Sequence, residues 1–171
     1  RGELMMYAVA EAKMMQGDEQ YEKLLALKVP GNLDFTPVDP YSPKAKQEKD
    51  KKRLADSTKR FTDWLTGKGK QIDTTQKIYQ AVILYKQAHW AIAAAARIGQ
   101  VFQDFSGQLF TAPIPKAPPP PQGIDADEFN QNFVDAYCDA MTDKAEPLET
   151  KAIEGLRTCL DKSKDLSWFN E

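Results

Sequence analysis

Histidine occurs once in the 171 residues, at His89, and cysteine only twice, at Cys138 and Cys159. That inventory excludes a four-cysteine zinc site and a disulfide scaffold, and leaves room for one bridge at most. No Gly-rich phosphate loop, Ser-His-Asp order or metal-ligand spacing accompanies the lone histidine, so no catalytic, cofactor or metal site is expected. A His89–Cys138 pair lacks any local signature, and His89 beside Trp90 reads as a packing or surface residue. The acidic pairs Asp125/Asp127 and Asp135/Asp139 do not repeat as in a calcium loop and read as solvated helix faces. No stretch approaches the roughly 20 apolar residues of a membrane helix, no signal peptide opens the chain, and no alternating pattern competes for β-strand. The first residue is Arg1 rather than Met, from which a trimmed amino terminus is expected.

What is present is a composition that folds: 42% hydrophobic, 10% aromatic and 28% charged residues. The net charge of −2 conceals a division. Residues 44 to 70 carry ten Lys/Arg against four Asp/Glu, whereas residues 125 to 171 carry five against twelve. The basic stretch is interrupted by Glu48, Asp50, Asp56 and Asp63 and has no stacking aromatic before Phe61. With a pI near 5.6 this argues against nucleic acid as a partner. It reads as a solvated helix face, with Lys49, Lys51, Lys52 and Arg53 as candidate contacts to a protein partner.

Helical periodicity divides the chain into five parts. Residues 1–29 predict a helical hairpin: one stripe runs through Leu4, Met5, Ala8, Val9, Ala12 and Met15, Gly17-Asp18 turns the chain, and Tyr21, Leu24, Leu25 and Leu27 form the return. Residues 30–43, with Pro30, Pro37, Pro40 and Pro43, are an extended connector, and Ser42 is placed to cap the next helix. Residues 44–110 predict long helices, with a bend or short break at Gly67 and Gly69 and the strongest helical pattern from Ala88 to Phe110. Residues 111–124, with Pro113, Pro115 and Pro118 to Pro121, are a semi-rigid polyproline connector. Residues 125–171 predict an acidic hairpin capped at Asp125, in which Pro147 either kinks one helix or opens a second. The apolar tail Ser167-Trp168-Phe169-Asn170-Glu171 reads as the opening of another helix, so further repeats are expected beyond it.

The fold class expected is all-α, about six helices in irregular antiparallel hairpins. Ala95-x2-Ile98-Gly99-x2-Phe102 fits the first half of a tetratricopeptide (TPR) motif and Ala152-x3-Leu156-x2-Cys159 the second, with small residues where two helices nest. Any close-packed helical bundle can show the same spacings. Residues 111–146 interrupt the unit, which makes the pattern a degenerate, TPR-like fragment of an α-solenoid. Together with the runs Trp90–Phe102, Ala112-Pro113-Ile114-Pro115 and Lys144–Ala152, the chain resembles the TPR-repeat envelope proteins of δ-proteobacteria, particularly those of the myxobacterial gliding-motility machinery. The resemblance implies a periplasmic scaffold whose partners are other proteins of an envelope complex.

Two further expectations attach to this reading. If the chain reverses at Pro147, Cys138 and Cys159 lie level across the turn and form a disulfide, which fits an oxidising compartment; if Pro147 only kinks a helix, they are two separate thiols. An exposed aromatic groove around Trp64, Tyr79 and Trp90 would favour a different role, a cell-wall or outer-membrane assembly factor binding glycan or lipoprotein.

Overall fold

A computed structural model describes residues 2–165, 167 and 168. The chain is all-helical across them: α1 Gly2–Ala26, α2 Lys44–Leu84, α3 Ala88–Phe110 and α4 Ala126–Asp165. Four helices stand among the described residues where about six were expected, and three interruptions read from single residues do not occur. The expected opening of a helix at the carboxyl end involves Phe169, Asn170 and Glu171, which lie outside the described residues.

The first absent interruption is the Gly17-Asp18 turn. The buried positions Ala10, Met14, Gly17 and Leu24 continue one stripe at steps of four, three and seven, so the helical phase never breaks. Glycine is required at 17 for space: a Cβ there would stand 2.5 Å from Cε1 of Tyr79 in α2. The Tyr79 hydroxyl donates to Asp18 Oδ1 at 2.7 Å. Both supposed turn residues therefore serve the α1–α2 contact. Gly17→Ala gains about 1 kcal/mol of helix propensity but sets a methyl against a fully buried ring, where overpacking costs about 1–3 kcal/mol. A lowered urea midpoint is the expected result; an unchanged one would show that the ring yields.

The second is the break at Gly67 and Gly69. Trp64, Lys68, Ile72, Thr75, Tyr79 and Val82 are buried at three- and four-residue steps on either side of both glycines, and this packing keeps α2 unbroken through them. α2 ends at Leu84, where Lys86 takes a left-handed φ of 55° and sends the chain back into α3. Ser42 does not cap α2; its hydroxyl donates to Asp39 Oδ2.

The third is the reversal at Pro147. α4 passes through that proline as one 40-residue helix. Asp125 caps it as expected, its Oδ1 accepting the backbone N–H groups of Asp127 and Glu128 at 3.0 Å each. Because the helix does not reverse, Cys138 and Cys159 stand roughly 30 Å apart at about 1.5 Å per residue, far beyond bridging distance. Both are free thiols. The disulfide expectation is overturned.

Neighbouring helices run antiparallel: Gly17 and Leu24 of α1 meet Tyr79 and Lys68 of α2, and Trp64 and Lys68 meet Phe105 and Asp104 of α3. α3 forms the centre. One side packs on α1 and α2, the other on α4, and among the described residues α4 touches neither α1 nor α2. This explains why α3 has the strongest apolar signal: it buries two faces, with Ala94, Ala95, Gly99, Val101, Phe102, Phe105, Ser106 and Leu109 all inaccessible. Helices of 41 and 40 residues also exceed what a standard TPR unit of about 34 residues accommodates.

The connector at residues 30–43 lies along the amino-terminal half of α2. Ser57 Oγ accepts the Asp34 N–H at 3.0 Å, Arg53 Nη2 donates to Thr36 O at 2.6 Å, Arg60 Nη2 donates to Gly31 O at 2.7 Å, and Phe35 meets Phe61 edge-on. The basic segment is therefore not uniformly a solvated face. Arg53 fastens the connector and also pairs with Asp34 and Asp50. Among the described residues Lys51 pairs only with Glu48 in the preceding turn, and Lys49 and Lys52 make no ion pair.

Candidate protein-docking surface

At one end of the molecule α1 begins, α2 ends, α3 begins and α4 ends. Aromatic side chains link three of these elements there. Tyr7 of α1 lies with its ring centroid 5.6 Å from that of Trp90 and 6.4 Å from His89; His89 meets Trp90 at 4.6 Å and Trp168, just past α4, at 5.7 Å. His89 is thus part of an aromatic cluster, in keeping with its reading as a packing residue. A cleft of about 330 Å³ opens beside it between α3 and α4, walled by Ile92, Leu156, Cys159, Leu160 and Trp168. The structure brings Cys159, and not Cys138, to His89. Among the described residues the buried Trp90 Nε1 has no hydrogen-bond partner. A second cleft lies on the other side of Trp90, lined by Met14, Asp18, Arg97 and Gln100.

Around these clefts the apolar surface continues outward. Leu4, Met5, Met6, Val9 and Met15 of α1, Ile83 and Leu84 of α2, and Ile153, Leu156 and Leu160 of α4 are all exposed, Leu84 to 77%. Four of the five methionines stand in α1. Methionine is flexible and polarisable, and surfaces rich in it accommodate apolar partners of varied shape. Sequence periodicity placed Leu4, Met5, Val9 and Met15 in a single packed stripe. They do share one face of α1, but that face is exposed, and the helix packs instead through Ala10, Met14, Gly17 and Leu24 on the opposite side.

Two polar clusters brace the end-piece from beneath. Asp18 Oδ1 accepts from the Tyr79 hydroxyl and from Arg97 Nε at 3.0 Å, while the Arg97 guanidinium lies 5.3 Å from the centre of the Tyr21 ring. Burial, and then the bond to Asp18, push the Tyr79 hydroxyl far above the usual tyrosine range, so it remains a donor. Farther along, the fully buried Lys68 Nζ donates to Leu24 O at 2.7 Å, Leu27 O at 3.1 Å and Asp104 Oδ2 at 2.6 Å. A cation at the last carbonyls of α1 complements the negative end of that helix. Burial draws the Lys68 ammonium below the usual lysine range, against the opposing pull of Asp104.

The TPR-like residues assemble as a group. A Cβ on Gly99 would stand 2.7 Å from Leu156 Cγ and 3.0 Å from Ala152 O, and one on Gly155 would stand 2.9 Å from Gly99 Cα and 3.5 Å from Ala95 O. Lys151 Nζ lies 5.3 Å from the centre of the Phe102 ring. Ile98 is partly buried against the core. Gly155, which completes the crossing, was not singled out in the sequence. Its signal is its place three residues after Ala152 on the face turned toward Gly99.

Compared with protein-family models, curated proteins and solved structures, the chain gives no match. Its own geometry carries the functional reading. The aromatic groove sought around Trp64, Tyr79 and Trp90 does not exist, since Trp64 and Tyr79 are core residues. Among the described residues no three His, Cys, Asp or Glu side chains are grouped to hold a metal ion, and no helix is long and apolar enough to cross a membrane.

Proposed function

We propose that this chain is a non-catalytic protein–protein interaction scaffold in a bacterial cell-envelope complex, with gliding motility as the process and the periplasm as the location that the resemblance implies. The observation that carries the scaffold reading is the set of exposed apolar side chains on α1, Leu84 and α4 together with the Tyr7–His89–Trp90–Trp168 cluster and the α3–α4 cleft. Exposed apolar side chains gathered about a cleft mark a docking site. A helix or strand with large apolar side chains fits the cleft. The α3–α4 crossing through Ala95, Gly99, Ala152 and Leu156 supplies the TPR-like element.

Affinity capture from the envelope fraction of the source organism, with wild type and an Ile153→Glu/Leu160→Glu variant, tests the reading. Both side chains are at least half exposed, so the melting temperature should stay within a degree or two while the proteins recovered by wild type are lost. Recovery of the same proteins by both forms would overturn the docking surface. Recovery of cytosolic proteins alone would overturn the envelope assignment.

A further inference from the structure

Two helices project past the carboxyl end of α3, and their projecting parts carry opposite charge. α4 runs antiparallel to α3, since Trp168 meets His89, Gly155 meets Gly99 and Tyr137 meets Pro113. α2 does the same, with Trp64 at Phe105 and Lys68 at Asp104. The two are therefore parallel to each other, and their first turns extend roughly 25 Å beyond Phe110 at about 1.5 Å per residue. By that alignment the start of α2 at Lys44 stands level with the start of α4 near Glu128, on the other side of the molecule and out of contact with it.

From Ala126 to Glu146, α4 holds six carboxylates against one cation, Lys144. Glu128, Asp135, Asp139, Asp143 and Glu146 follow at steps of seven, four, four and three, which keeps them on one face, and all are exposed. Val134, Tyr137, Met141, Ala145 and Leu148 form the covered face opposite. Among the described residues the only ion pair in α4 joins Lys162 and Asp165, so this acidic face has no cation from its own chain. The first turns of α2 are its counterpart. Lys51 and Arg53 occupy Glu48 and Asp50, which leaves Lys44, Lys46, Lys49 and Lys52 exposed and without ion pairs among the described residues. Lys52 is turned away from the buried Ser57 and Trp64, and so outward.

We infer that the chain assembles side by side with further copies of itself, the basic first turns of α2 lying on the acidic face of α4 in the next copy. Because the two helices are parallel and their charged turns are level, a copy displaced sideways without reversal brings lysines and carboxylates together. The contact joins two different surfaces, so every added copy leaves one basic and one acidic face free, and the assembly is open-ended or closes as a ring. Exposed ion pairs are individually weak, which makes the association dependent on their number and sensitive to salt. Neither face contains a residue of the apolar end described above, and copies so arranged would present all their apolar ends along one edge.

Sedimentation equilibrium of the full chain tests this. In about 20 mM NaCl the weight-average mass should rise with concentration beyond two copies, and in about 500 mM NaCl, where the screening length falls to about 4 Å, it should return toward 19.3 kDa. Lys46→Gln/Lys49→Gln/Lys52→Gln and Glu128→Gln/Asp135→Asn/Asp139→Asn should each weaken association about tenfold or more. All six side chains are exposed, and an unaltered far-ultraviolet circular dichroism spectrum verifies the fold of each variant. An equimolar mixture of the two should associate again but stop at two copies, because one supplies only the acidic face and the other only the basic one. A wild-type chain that stays monomeric in low salt would overturn the inference. So would association that survives high salt, that either variant retains in full, or that the mixture fails to recover.

Discussion

Lys68→Met is expected to lower stability by about 3–5 kcal/mol, the usual cost of removing one partner from a buried ion pair. Three acceptors lose the ammonium together: the carbonyl of Leu24, that of Leu27, which keeps only Trp64 Nε1 at 3.4 Å, and Asp104, which is 15% exposed and keeps Gln108 Nε2 at 2.9 Å. Lys28, 4.0 Å from Asp104 Oδ1, is placed to recover part of the loss. Replacing both partners, as Lys68→Met/Asp104→Leu, should restore much of the stability, since an unpaired buried charge costs more than an apolar pair. Urea denaturation measures both variants, and a single mutant as stable as wild type would refute the role assigned to Lys68. The pH dependence has a definite sign. A lysine with a lowered folded pKa binds fewer protons folded than unfolded between that value and the ordinary 10.5, so the wild-type chain gains stability as pH rises through this window. Lys68→Met should lack that contribution.

Gly99→Leu is expected to cost about 3 kcal/mol, the upper end of ordinary overpacking, because the added atoms meet backbone as well as side chain. Gly99 and Gly155 face each other so closely that neither tolerates a Cβ without movement of the other helix. α4 has no second surface on which to settle, having no contact with α1 or α2 among the described residues. The substitution should therefore lower both the melting temperature and the urea midpoint. A melting temperature equal to that of wild type would remove the crossing as the basis for α4 docking.

The sequence disclosed the helical class and the centre of the fold because α3 is apolar on two sides and needs no distant information to be recognised. It misled at Gly17, Gly67, Gly69 and Pro147 for one shared reason: each is a helix breaker by local propensity, and each is overridden by a buried stripe in register on both sides. The misreading of Pro147 carried the disulfide with it. Lys68 was illegible, since burial of a lysine depends on carbonyls more than 40 residues away in sequence. At the candidate site Trp90 was singled out in the sequence, and it stands in the aromatic cluster with Tyr7 and His89. The exposed face of α1 was not, because an apolar residue in a helix is first assigned to a core.

The central place of α3 also orders the protein by the ease with which its parts open. A backbone amide exchanges its hydrogen only when the structure around it has come apart. α4 can leave α3 with the other three helices still in contact, and α1 with α2 can loosen while α4 stays in place. Neither event frees α3, which remains covered on its other side. Its amides, those between Ala94 and Leu109 above all, are released only by the unfolding of the whole, so the free energy of global unfolding is recorded there while α4 reports a smaller one. Binding at the α3–α4 cleft would raise the smaller value toward the larger and draw the two halves into a single cooperative unit.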